Sequence, residues 1–166
     1  MENHPEKSLK KIKTGAIIIM AGAGYLIISN TLGAIAWNTM EVQEIFQRSE
    51  IPMQGFEKLL AYYIEICIST AVMGLLYLIG GFFLYRLQHW AARWLTIIAV
   101  ISMIGGISLS IWVGSIISEF LHPMIAAIIM MIASSFELAP LIFMIWFLNR
   151  KSTKIILSAP HHTNEP

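Results

Sequence analysis

The sequence predicts an all-α integral membrane protein, a four-helix bundle with both termini in the cytoplasm. Three observations predict it. Four apolar runs are each long enough to cross the roughly 30 Å of bilayer hydrocarbon as helix. Lys and Arg gather on alternate connections and toward both ends of the chain, the asymmetry read by the positive-inside rule. Trp37, Trp90, Trp94, Trp112 and Trp146 fall at or near the predicted ends of the runs, where an amphipathic ring sits at headgroup level. Composition agrees: 57% of the 166 residues are hydrophobic and 13% charged, far from the soluble balance of roughly a quarter charged.

The length suits one domain, and a net charge of +1 gives no electrostatic reason to expect a nucleic-acid partner. The single cysteine, Cys67, excludes an intrachain disulfide and any CxxC redox or zinc site. The ten methionines read as lipid-facing and core filler.

Taken in order, residues 1–14 form a polar cytoplasmic tail with Lys7, Lys10, Lys11 and Lys13 just before the first apolar run. The first span covers residues 15–37. Its Ala34-Ile35-Ala36 resembles a signal-peptidase site, but a signal h-region is about 7–15 residues and this run is longer, so an uncleaved first helix is expected. Residues 38–58 make the only sizeable polar loop, on the outer side. There Met40, Val42, Ile45 and Phe46 share a face opposite Glu41, Glu44 and Arg48, the pattern of a short amphipathic helix that either docks a partner or lies on the bilayer surface. Ile51-Pro52 and Gly55 end it.

The second span, residues 59–85, contains Gly80-Gly81, which favours close approach of a neighbouring helix. A short basic turn runs from Arg86 to Arg93. In the third span, residues 94–118, small residues recur every fourth position: Ser102, Gly106, Ser110, Gly114 and Ser118. Small residues at that spacing fall near one face, and in lipid such faces hold helices together by close contact. This span is expected to be the central packing helix. A short outer loop leads to the fourth span, residues 124–148. Residues 149–166 form a cytoplasmic tail with Arg150, Lys151 and Lys154, irregular beyond them and carrying His161 and His162. The cations before span one, between spans two and three, and after span four belong on one side, which the positive-inside rule makes cytoplasmic.

Glu137 asks for a physical reason. It falls near the middle of the fourth span, where an acidic side chain costs a few kcal/mol or more. Pro140 has no N–H to give the carbonyl of Phe136, leaving an acceptor beside the carboxyl group. Ser134 lies one turn earlier. At a rise of about 1.5 Å per residue, Tyr25, Gly74, Tyr77 and Gly106 reach a similar depth, with no Lys, Arg or His at that level. An unpaired carboxylate there is expected to take up a proton and to donate to Tyr25, Tyr77, Asn30 or the freed carbonyl. Two readings stand: Glu137 titrates on a proton or small-cation path, or it is a neutral, hydrogen-bonded acid that fixes helix packing.

The other polar residues say less. Glu65 falls at the outer boundary, His89 in the basic turn, and Glu119 with His122 in the short outer loop, without enough further ligands for a metal. Asn30 and Thr70 are expected to bridge helices. No nucleophile has a plausible base and no glycine loop suits a phosphate. The expectation is a protein that is not an enzyme and holds neither cofactor nor metal.

Trp90-Ala-Ala-Arg93-Trp94 and the Trp146-Phe-Leu-Asn-Arg150 ending resemble a loose group of small bacterial four-helix inner-membrane proteins. These share a Trp-Ala-Arg-type turn after helix two and a closing Trp-Phe-Leu-x-Arg; this chain has an extra alanine in the turn. The resemblance implies the bacterial inner membrane and the architecture, and nothing about activity. Small multidrug transporters fit less well, since they carry an essential acid in helix one, where this chain has none. The function expected is that of an accessory, assembly or regulatory subunit, whose partners are the lipid bilayer and a second membrane protein or another copy of itself. The alternative is a small proton-coupled transporter or channel using Glu137. A membrane enzyme acting on lipid or quinone comes third.

Overall fold

The computed structural model describes residues 4–39, 60–119 and 121–158, and every element among them is helical. Helix α1 runs His4–Thr39, α2 Tyr63–Tyr85, α3 His89–Ile117, α4 Pro123–Asn149 and α5 Lys151–Ser158. The first four are long and apolar enough to cross a membrane. The amphipathic stretch around Met40–Arg48, and the histidines His161 and His162, lie outside the described residues.

The helices begin and end where local chemistry allows rather than where hydropathy changes. α1 starts at His4 instead of residue 15 and passes through the lysine-rich segment. Lysine is a good helix former, and Ile12, amid the lysines, is 2% exposed and part of the core. The helix continues without a break across Ala34–Ala36. α3 starts at His89 rather than residue 94, because the reversal after α2 needs only Arg86–Gln88. Leu87 takes the left-handed conformation, with φ of 58°. The N–H groups of Leu87 and Gln88 donate to the carbonyls of Leu84 (2.9 Å) and Phe83 (3.0 Å), a Schellman ending in which glycine is the usual residue. A leucine there costs roughly 1–2 kcal/mol of steric strain, offset by its packing against the core. α4 opens with Pro123 at its first position, where a missing N–H costs nothing. His122 caps that helix: its Nδ1 accepts from the N–H of Met124 at 3.3 Å.

Consecutive long helices run antiparallel, and the closest seam joins α1 to α2. Ala16 and Ala23 on α1 meet Gly81 and Gly74 on α2. A Cβ added at Gly74 would lie 2.9 Å from Ile27 Cγ1 and 3.1 Å from the carbonyl oxygen of Ala23; one at Gly81 would lie 2.8 Å from Met20 Cγ. Both pairs are seven residues apart, and a spacing of seven returns to nearly the same face after two turns. Gly80, one residue earlier and so about 100° round the helix, serves α3 instead: a Cβ there would come 2.5 Å from Leu95 Cδ2.

α3 packs against α2 on one side and α4 on the other. The single extended residue Arg150 then turns the chain into α5, which lies against α1, α3 and α4. Thr153 Oγ1 donates to the carbonyl of Phe147 at 3.0 Å, and Leu157 is buried in the core. The tail thus stays helical to Ser158 rather than becoming irregular after Lys154. Thr153, Ile156 and Leu157 stand at i, i+3 and i+4, the spacing of one buried helical face.

Candidate functional site

The fourfold ladder of α3 does not face a single neighbour. Each step of four residues advances about 40° on a helix of 3.6 residues per turn, so five members sweep a broad arc. At its start Ser102 faces α2, where its Oγ receives the Tyr77 hydroxyl at 2.9 Å. Further along, Ser110 and Gly114 face α4; a Cβ on Gly114 would stand 3.1 Å from Met130 Cγ. Ser118 caps the end of α3, its Oγ donating to the carbonyl of Ser115 at 2.7 Å. Gly106 is half-buried within the same helix.

Between the last turns of α3 and the first turns of α4 this arc opens into a cleft of about 400 Å³. Small or flexible side chains line it, among them Ser110, Gly114, Ala126, Ala127, Met130 and Ser134. The Ser134 hydroxyl is turned back to the carbonyl of Met130 at 2.6 Å, so the wall offers few free polar groups. Ile111 and Met131 line it too, with much of their surface exposed (69% and 68%).

The residues grouped around Glu137 by depth are distributed over several partners. Tyr77 is 6% exposed and its hydrogen goes to Ser102. Tyr25 is 72% exposed on the outer face of α1. Asn30 Nδ2 donates to the carbonyl of Leu26 in its own helix at 2.8 Å, and Thr70 Oγ1 does the same to Ile66 at 2.8 Å. The expectation that these two bridge helices is therefore corrected: without water, the carbonyl four residues back is the nearest acceptor. Among the described residues the side-chain bridges between long helices are Tyr77–Ser102 and a second one not anticipated from the sequence, Asn149 Nδ2 to Thr96 Oγ1 at 3.3 Å. The signal for the second lay in Asn149, the last residue of α4, facing Thr96 two turns into α3. Glu137 itself continues α4 one turn past Ser134, and its side chain lies outside the described residues.

Aromatic rings mark the two ends. Trp37 packs on Tyr63 (centroids 5.0 Å apart) and Tyr62 on Trp112 (5.9 Å) at one, Phe83 on Trp90 (4.7 Å) and Phe143 on Trp146 (5.7 Å) at the other. Glu65, His89, Glu119 and His122 are exposed, and no cluster of three His, Cys, Asp or Glu forms among the described residues. Buried Cys67 sits beside the point where Gly33 meets the Tyr63 hydroxyl.

Fold and site together define a helical protein whose four long apolar helices suit a multi-pass membrane protein. No protein-family model matches the chain, no curated protein matches its sequence, and no solved structure matches its fold.

Proposed function

We propose that the chain is a non-enzymatic four-helix bundle of the bacterial inner membrane, both termini cytoplasmic, acting as an accessory, assembly or regulatory subunit of a membrane complex. The α3–α4 cleft carries this reading. It is open and apolar, and half of its lining is small (Ser110, Gly114, Ala126, Ala127 and Ser134); a transmembrane helix gains from such a surface because close backbone approach is what drives association in lipid. The orientation rests on the basic residues of the α1 start, the α2–α3 turn and the α4–α5 junction. The test is a tagged pull-down of the full chain from native membranes in mild detergent, with and without Gly114→Leu or Gly106→Leu. A stoichiometric partner retained by the wild type and lost by a monodisperse variant is the expected outcome; undiminished recovery with both variants defeats the proposal.

One observation favours a second reading, a small proton-coupled transporter or channel. Glu137 lies midway along a membrane-length helix with Pro140 three residues on, and Ser134 of the cleft wall is one turn away. Intramembrane acids of this kind mark ion pathways, and four short helices would need a second copy to enclose a path. Purified protein in liposomes discriminates: proton flux abolished by Glu137→Gln supports transport, and its absence in the wild type removes it.

A further inference from the structure

A second groove lies at the opposite end of the molecule, between α1 and α4, with a volume of about 510 Å³. That is within the range of roughly 300–1,000 Å³ typical of small-molecule sites. Its composition is graded. Lys10, Lys11 and Thr14 line the end toward the start of α1, while Ile18, Phe143 and Phe147 line the rest. Lys10 to Ile18 is a distance of about 12 Å along a helix at 1.5 Å per residue. Cations and a hydroxyl are thus stacked directly above an apolar trough.

Among the described residues these polar groups have no partner. At the same end, Lys13 lies 5.4 Å over the Tyr85 ring, Arg86 4.6 Å over Phe82 and Arg150 5.4 Å over Trp146. Lys10 and Lys11 are exposed and have no ring or carboxylate partner among the described residues. The Thr14 hydroxyl, unlike those of Thr70 and Thr96, makes no hydrogen bond to its own helix. Ile18 (66% exposed) and Phe143 (64%) present apolar surface into the trough. The floor is formed where Gly15 lets α1 come against Phe147; a Cβ there would be 2.9 Å from Phe147 Cε1.

We infer that this groove binds one anionic phospholipid, its phosphodiester against Lys10, Lys11 and Thr14 and an acyl chain along Ile18, Phe143 and Phe147. Charge selects the ligand: two cations without a carboxylate partner among the described residues favour a net-negative headgroup over a zwitterionic one, and basic pockets between spans on the cytoplasmic side are suited to such lipids. The apolar trough selects lipid over free phosphate, which has nothing to bury there. The inference rests on the helices spanning a bilayer and is independent of the accessory role.

The test is native mass spectrometry of the full chain in a non-ionic detergent, titrated with dioleoylphosphatidylglycerol, dioleoylphosphatidylcholine or inorganic phosphate. One phosphatidylglycerol is expected to bind with a preference of about tenfold or more over phosphatidylcholine, each lysine contributing about fivefold. Lys10→Gln with Lys11→Gln removes that preference. Arg86→Gln with Arg93→Gln, the same charge loss on the α2–α3 side, preserves it. Ile18→Trp, at an exposed position, fills the trough with both lysines in place and lowers bound phosphatidylglycerol several-fold. Equal binding of the two lipids overturns the site, as does equal loss of preference in the two double variants. Displacement of the lipid by inorganic phosphate overturns the assignment to lipid.

Discussion

At the basic end, α1 to α5 share one core: Leu84 and Leu95 are 0% exposed, Leu148 1%, Ile12 2% and Leu157 5%. At the far end, Ile104, Ile111, Met124 and Met131 are 61 to 70% exposed, and α3 and α4 stand apart around their cleft. The apolar runs continue into both ends, so hydropathy alone does not show which one is closely packed. In a bilayer an isoleucine facing lipid is as well placed as one facing protein, because no hydrophobic drive favours burial. Close packing arises only where small residues or matched shapes permit it. At the basic end Gly80, Gly81, Ala91, Ala92 and Ala99 are buried in such contacts, whereas Ser110, Ala127 and Ser134 at the far end line an open cleft. The two ends therefore differ in packing: the core shared by all five helices lies at the basic one, which also exposes Ile18 and Phe143 along its groove, while only α3 and α4 line the cleft at the far one.

Substitutions can break that division. Gly80→Leu has the largest expected effect, since even a Cβ meets Leu95 at 2.5 Å; a loss above about 3 kcal/mol is expected, seen as the disappearance of monodisperse protein in detergent. Leu95→Ala is next, at about 2–4 kcal/mol, whereas Ile111→Ala at the open end changes stability by less than about 0.5 kcal/mol. Thermal unfolding of the two side by side measures the contrast, and equal losses would dissolve it. Among the substitutions at packed positions Tyr77→Phe has the smallest effect, at about 0.6 kcal/mol, the average for a hydrogen bond between membrane helices. It sharpens the boundary, because Tyr77–Ser102 is the bond where the closed half gives way to the open one. A double-mutant cycle with Ser102→Ala isolates that coupling.

The four spans were legible because twenty apolar residues have few other uses. Their ends were less so. Hydropathy set the start of α1 at residue 15, while helix propensity and the buried Ile12 carried it back to His4. The ladder on α3 drew attention by its spacing of four, yet the closest seam uses a spacing of seven, split between Ala16 and Ala23 on one helix and Gly74 and Gly81 on another. Neither half of that pattern stands out alone. α5 was hidden for a related reason: Lys151 and Lys154 read as tail, and the stripe of Thr153, Ile156 and Leu157 is only one turn long. Asn30 misled because a polar side chain in lipid can satisfy itself locally as well as across a gap.

The helix after Arg150 also bears on the order in which the molecule forms. Leu157 shares a core with Ile12, so residues made at opposite times during synthesis meet in one place. The α1–α2 hairpin, sealed by its own small residues, can assemble in the membrane as soon as both helices have emerged. The core beneath it includes Leu157 and so is incomplete until that residue has been made.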